Sequence, residues 1–223
     1  MILRNIRQKI TANLFKGKVL HLAGARQTGK TTLLKTLASH YSEPILWLNG
    51  DDADVRDMFV NATASKLQNI IGSHKLVVID EVQRIVNIGI GLKLIVDTFP
   101  YLQVVATGSS ALELADKINE PLTGRKIEYF LYPVSFGEMM QHHGLLTEQR
   151  LLEHRIIYGY YPEVITSAGG EKEVLKRLSD AYLYKDIFTL ENIKKPVVVE
   201  KLLQAIALQI GSDVSVNELS QMV

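Results

Sequence analysis

The sequence predicts an α/β protein in which a parallel sheet is covered by helices on both faces. Three observations carry this expectation. Short, near-continuously apolar runs alternate with stretches whose apolar residues fall three and four apart. A glycine-rich loop ending in Lys-Thr stands at the first junction of run and helix. After Tyr132-Pro133 the strand signal fades and helical spacing continues alone.

Taken in order, Ile2-Leu3, Ile6, Ile10 and Leu14 space a helix over about residues 1–17, with Gly17 as its stop. Strands are predicted at Lys18–Ala23, Pro44–Asn49, Leu76–Asp80, Gln103–Thr107 and Lys126–Leu131. Helical segments fall at Lys30–His40, within Asp54–Gly72, and at Gly89–Phe99. Trp47, on a strand, is expected in the core. Ser135 to about Glu191 reads mostly as helix, broken at Gly159–Pro162 and Gly169-Gly170. Val197–Ile210 is amphipathic, Gly211-Ser212 interrupts, and Val216–Met222 begins another helix. The expected domains are an α/β core at 1–137, a helical lid at 138–195, and the start of a winged-helix-like segment at 196–223, cut short.

Composition narrows the functional classes. With 223 residues, 47% hydrophobic and 22% charged, the chain is globular, not disordered, collagenous or a coiled coil. Lys+Arg 25 against Asp+Glu 24 leaves no overall imbalance that would advertise nucleic acid or a membrane surface. The absence of cysteine excludes disulfide scaffolds, thiolate catalysis and cysteine-held metals, and fits a reducing compartment. No apolar run approaches the ~20 residues that span a bilayer. Met1–Lys9 carries charges where a secretion signal needs an apolar stretch, so a cytoplasmic location without a membrane partner is expected.

The chemistry concentrates in three places. Gly24-Ala25-Arg26-Gln27-Thr28-Gly29-Lys30-Thr31 satisfies G-x-x-x-x-G-K-[ST] in full, between a strand and a helix. Glycines let the backbone curl so that successive N–H groups face phosphate oxygens, and the helix N-terminus adds positive potential. Residues 24–31 and Thr32 are therefore candidate nucleotide contacts, Lys30 is a cation for the β- and γ-phosphates, and the Thr31 hydroxyl is a Mg²⁺ ligand. Leu76–Asp80 with Glu81 is an apolar strand ending in two carboxylates. Strand alternation would aim them apart, Asp80 into the Mg²⁺ shell and Glu81 at the water attacking the γ-phosphate. The intervening strand Ile45–Asn49 places this acidic strand away in sequence from the loop strand, as in NTPases that use a catalytic glutamate.

The third place is Val104–Ser110, a buried strand ending in small hydroxyl residues. Ligands sit at the carboxyl ends of parallel strands, so Thr107 and Ser109 are candidates to sense the γ-phosphate. Alternatively, Gly108-Ser109-Ser110 caps a helix starting near Ala111. Among Arg26, Arg84 and Arg125, the last is the best candidate to reach the γ-phosphate, in its own site or across a subunit contact. His142-His143 with His154 lacks metal-pair spacing, and Tyr158-Gly159-Tyr160-Tyr161-Pro162 reads as a packed turn. Asp51-Asp52 follows a strand end near the site or caps a helix.

Together these pieces resemble a known family. Gly24–Leu34, Ile79-Asp80-Glu81-Val82-Gln83-Arg84, Thr107–Ser110, Leu122–Arg125 and Leu131–Glu138 occur in the order seen in prokaryotic AAA-type ATPases carrying a C-terminal DUF4143 domain, relatives of the archaeal-type AAA+ and STAND ATPases. Tyr158–Val164 and Tyr182–Ile187 match the same family. The resemblance implies a P-loop NTPase fold of the ASCE, AAA+-like type with a helical lid and a winged helix. The motifs themselves, read as residues, predict ATP and Mg²⁺ as cofactors, with Glu81, Lys30, Thr107 and Arg125 in catalytic roles and Thr31 and Asp80 at the metal. ATP hydrolysis coupled to conformational change is the leading expectation. A slow nucleotide-dependent switch or DNA-binding regulatory module is the other, with DNA or protein engaged through the helical and winged-helix parts. The oligomeric state is left open.

Overall fold

Five strands form at the five apolar runs: β1 (Val19–Ala23), β2 (Ile45–Asn49), β3 (Leu76–Asp80), β4 (Gln103–Gly108) and β5 (Lys126–Phe130). The computed structural model describes residues 1–109, 121–180 and 196–222. All four pairings are parallel, and the strand order is β2-β3-β4-β1-β5. Every crossover therefore returns along a face of the sheet, and the carboxyl ends of all five strands share one edge. The strand standing between the loop strand β1 and the acidic strand β3 is β4. β2, which intervenes in sequence, lies at the margin of the sheet.

The pleat divides the interior into two cores. Val77 and Ile79 of β3, with Val104 and Ala106 of β4, enter one cluster, while Leu76, Val78 and Val105 enter the other. α1 (Ile6–Thr11) and α2 (Lys30–Ala38) cover the second cluster through Ile10, Leu33 and Leu34. α3 (Ala53–Phe59), α4 (Ala64–Ile71) and α5 (Ile88–Thr98) cover the first through Val55, Phe59, Leu67, Leu92 and Ile95. Burying each such side chain contributes about 2 kcal/mol, which is why these strands read as continuous apolar runs. Trp47 departs from expectation. It is 40% exposed because β2 is a margin strand with one hydrogen-bonded neighbour.

Two helical boundaries also shift. The first helix begins only at Ile6, because Arg4 and Asn5 are drawn into contacts with a later segment. The region 54–72 is two helices, and Thr63 restarts the second by accepting from the Lys66 N–H.

After β5 come α6 (Phe136–His143), α7 (Leu145–Arg150), α8 (Leu152–Tyr158), α9 (Pro162–Thr166) and α10 (Glu171–Leu178). The breaks fall at the glycine signals: Gly159 and Gly169 both take positive φ, 75° and 83°. Ser135 and Glu138 form a reciprocal capping box that starts α6. The chain divides into two compact units, Met1–Val174 and Leu175–Val223. Within the second, α11 (Pro196–Leu208) packs on α12 (Val216–Met222), burying Val199, Ala205 and Leu219. Among the described residues no helix is long and apolar enough to cross a membrane.

Candidate functional site

The loop between β1 and α2 is wound as the glycine spacing requires. Gly29 stands at φ 94°, ψ 26°, a left-handed position that a side chain would strain, and it hands the chain to α2. Thr28 is fully buried, and its hydroxyl donates to the Ala25 carbonyl at 2.8 Å, bracing the curl. Lys30, in the first turn of α2, is also buried. Its ammonium donates to the carbonyls of Gly24 and Ala25, both at 2.9 Å, so it lies inside the loop.

Two neighbouring segments converge on this loop. The Thr31 hydroxyl donates to Asp80 Oδ2 at 2.8 Å, and the Thr107 hydroxyl donates to Asp80 Oδ1. Thr107 sits on β4 opposite Leu22 of β1, so strand order alone brings it beside the loop. Thr31, Asp80 and Thr107, which are far apart in sequence, thus form one hydrogen-bonded cluster of side-chain oxygens at the carboxyl edge of the sheet. One carboxylate plus a hydroxyl is a hard-oxygen donor set of the kind Mg²⁺ uses when phosphates and water complete its octahedron.

Glu81 is separated from Asp80 by a device other than the strand pleat. β3 ends at Asp80, and Glu81 takes φ 53°, ψ 43°, a left-handed turn leading into a 3₁₀ turn at Val82–Arg84. That turn, not alternation, aims the second carboxylate. Gln83 then holds it: its side-chain Nε2 donates to Glu81 Oε2, while its Oε1 accepts from the Ser109 N–H at 3.3 Å. Reading the sequence did not single out Gln83. The signal was its place two residues after the acidic pair, which becomes informative only once the 3₁₀ turn is known.

Arg4 was missed as well. Its guanidinium donates to the Thr28 carbonyl at 2.8 Å, to the Tyr132 carbonyl at 2.5 Å and to Glu138 Oε2 at 3.2 Å. One side chain thereby ties the loop to the segment after β5 and to the start of α6. Burial alone would raise the Glu138 carboxyl, but the N–H groups of Ser135 and Asn5 and the Arg4 guanidinium together hold it below the usual carboxylate range. Beside this tie opens a cavity of about 460 Å³. Thr28, Gly29 and Thr32 line its loop side, Ile2 its amino-terminal side, and Val134 and Arg155 the helical side. That volume lies in the range of small-ligand pockets.

Other expected residues lie elsewhere. Arg125 stands away from the loop of its own chain: its carbonyl accepts from the Val19 N–H, at the amino end of β1, whereas the loop leaves the carboxyl end. Roughly 16 Å of strand separates the two, and the guanidinium instead pairs with Asp97 at 2.7 Å on the surface. Arg84 pairs with Asp51 at 3.4 Å. Asp52 caps α3, accepting from the Asp54 N–H, which answers the choice between site and cap for that residue. His143 bonds Glu148 at 2.7 Å and His154 faces Glu171 at 3.3 Å. Tyr160, in the aromatic turn, donates to the fully buried Glu148; burial, then that bond, pushes its hydroxyl up to about 12. The cap proposed at Gly108–Ser110 and the stretch Tyr182–Ile187 fall on residues outside those described, apart from Gly108 and Ser109.

Residues 16–140 match the family model described as an AAA domain. The chain belongs to the AAA domain family. Its AAA domain contains the whole cluster built on the loop, β3 and β4. Residues 149–223 match a different model, the domain of unknown function DUF8612, which overturns the expectation of a DUF4143 partner domain. An uncharacterized protein of Methanocaldococcus jannaschii is 24% identical over 221 residues, 89% of this chain and 49% of its own length. One from Haemophilus influenzae is 25% identical over 225 residues, 89% of this chain and 53% of its own. The chain spans about half the length of these relatives. Among solved structures, the Pif1 helicase of Candida albicans aligns at TM-score 0.43, 14% identity, over 64% of this chain and 42% of its own. A chain of Drosophila ORC bound to DNA aligns at TM-score 0.43, 15% identity, over 60% of this chain and 93% of its own.

Proposed function

We propose that this AAA-domain protein binds ATP with Mg²⁺ and hydrolyses it, and that turnover moves the helical region after β5 against the loop. The observation that carries the reading is the meeting of Thr31, Asp80 and Thr107 over a complete phosphate-binding loop, with Glu81 held beside them. Phosphate oxygens would take the Lys30 ammonium from the carbonyls of Gly24 and Ala25, and the N–H groups at the start of α2 would face the same oxygens. Thr31 and Asp80 are the residues that would hold Mg²⁺, which when bound neutralises charge on the phosphates.

Hydrolysis then needs one proton transfer. A water oxygen bonds to the γ-phosphorus, the bond from that phosphorus to the β-bridging oxygen breaks, and the Glu81 carboxylate accepts the water's proton. Thr107, which donates to Asp80, would orient that carboxylate beside the γ-phosphate. The nucleoside would extend into the cavity beside Thr32. Because Arg4 joins the loop to the carbonyl of Tyr132 and to Glu138, a change at the loop is transmitted to the root of the helical region. That is the physical basis for coupling.

Calorimetry and steady-state ATPase assays, with and without duplex DNA, test this. Lys30→Ala should abolish ATP binding, because the loop amides lose the charge that offsets the triphosphate. Glu81→Gln should bind MgATP as the wild type does and hydrolyse it roughly 10²-fold more slowly. Undiminished affinity in Lys30→Ala would refute the phosphate loop. Loss of MgATP affinity in Glu81→Gln would make Glu81 a metal ligand.

A further inference from the structure

We propose that Gln83 is a positioning residue for Glu81, tying the water-activating carboxylate to the end of β4; the inference rests on the hydrolytic reading above. Glu81 lies beyond the last residue of β3 on a left-handed backbone, so neither pleat nor helix fixes where its side chain points. Something else must hold it. Gln83, half-buried in the 3₁₀ turn, engages both ends of its amide: Nε2 donates to Glu81 Oε2 and Oε1 accepts from the Ser109 N–H at 3.3 Å. Among side chains only an amide of this length offers donor and acceptor at once in that fork.

The second bond gives the arrangement its meaning. Ser109 follows β4, and two residues earlier the Thr107 hydroxyl bonds Asp80. Both carboxylates of the acidic pair are therefore referenced to the same strand end, Asp80 through Thr107 and Glu81 through Gln83. A carboxylate held by one oxygen keeps the other to accept from water, and its angle to Asp80 is set by β4 rather than by its own rotamer. Gln83 thus acts on the reaction only through Glu81.

Three variants and two readouts test the inference. Gln83→Ala should lower kcat about tenfold or more, up to the roughly 10²-fold that misplacement of a reacting group costs, with KM and calorimetric MgATP affinity kept. It should also speed hydrogen exchange at the Ser109 amide in nucleotide-free protein. Gln83→Glu retains the acceptor for that amide but sets a second carboxylate against Glu81. It should lose as much turnover while leaving Ser109 exchange slow, which separates loss of positioning from loss of fold. On a Glu81→Gln background, Gln83→Ala should cost nothing further in single-turnover hydrolysis. Wild-type kcat in either single variant, a rise in turnover, or a further loss on the Glu81→Gln background would overturn the proposal. A wild-type protein with no ATPase activity defeats the hydrolytic reading and this inference with it. Variants indifferent beside an active wild type defeat this inference alone.

Discussion

Glu81 shows how much of the site is decided by one backbone conformation. A non-glycine residue in the left-handed region costs on the order of 1 kcal/mol or more, and such strain persists only where neighbours over-determine it. Here the Gly50 N–H donates to the Asp80 carbonyl at 2.8 Å, and the Glu81 carbonyl accepts from the Arg84 N–H at 3.0 Å. Gly50 also lies so close that a Cβ there would stand 2.3 Å from the Glu81 carbonyl oxygen. Gly50→Ala must therefore push the turn. The expected outcome is a loss of about 1–3 kcal/mol in urea unfolding, with turnover reduced more than ATP affinity. Unchanged stability and turnover would mean that the Glu81 carbonyl yields freely. Lys30, Thr31, Asp80 and Thr107 were legible as candidates because each belongs to a short local pattern, and the fold brings Thr31, Asp80 and Thr107 together. Arg4 and Gln83 were not, since the partners that give them meaning lie at Thr28, Tyr132, Glu138 and Ser109.

Among the elements, α6 is the most informative because its start is both capped and charged. Glu138 completes the capping box with Ser135, accepts from the Asn5 N–H at 2.8 Å and pairs with Arg4. Its carboxyl is held below its ordinary value of 4.5 in the folded chain. The unfolded chain therefore binds the proton first as pH falls, so this contribution is complete above the ordinary value and is lost as pH drops through the folded one. Glu138→Gln keeps the shape and discards the charge. At pH 7 it should cost about 2 kcal/mol, the scale of hydrogen bonds to a charged group, and the gap from wild type should close as unfolding is measured at successively more acid pH. A gap independent of pH would show that the charge contributes nothing. The capping box itself was written in the sequence as Ser135-Phe136-Gly137-Glu138; its second use, as the anchor for Arg4, was not.

At the scale of the whole molecule, the parallel sheet sorts residues by which edge they reach. The loop, Asp80, Glu81 and Thr107 gather at the carboxyl edge, while Arg125 enters at the amino edge and holds the Asp97 carboxyl below its usual range by hydrogen bond and charge. Arg125→Ala should accordingly leave kcat, KM and ATP affinity as in the wild type. A roughly 10³-fold loss of turnover at unchanged affinity, rescued by mixing with Lys30→Ala protein, would instead place this arginine across a subunit contact. What the sequence determined by itself is the set of strands, the helical breaks at Gly159 and Gly169, the phosphate loop and the acidic strand end, because these follow from side-chain period and backbone stereochemistry within a few residues. Tertiary structure alone decided that β4 stands beside the loop strand while β2 lies at the margin, that Arg125 enters at the other edge, and that Arg4 bonds Thr28 and Gln83 bonds the Ser109 N–H. The physical reason is that strand order and the bonds of Arg4 to Thr28 and Glu138 and of Gln83 to Ser109 join segments 24 to 134 residues apart, which no local pattern encodes.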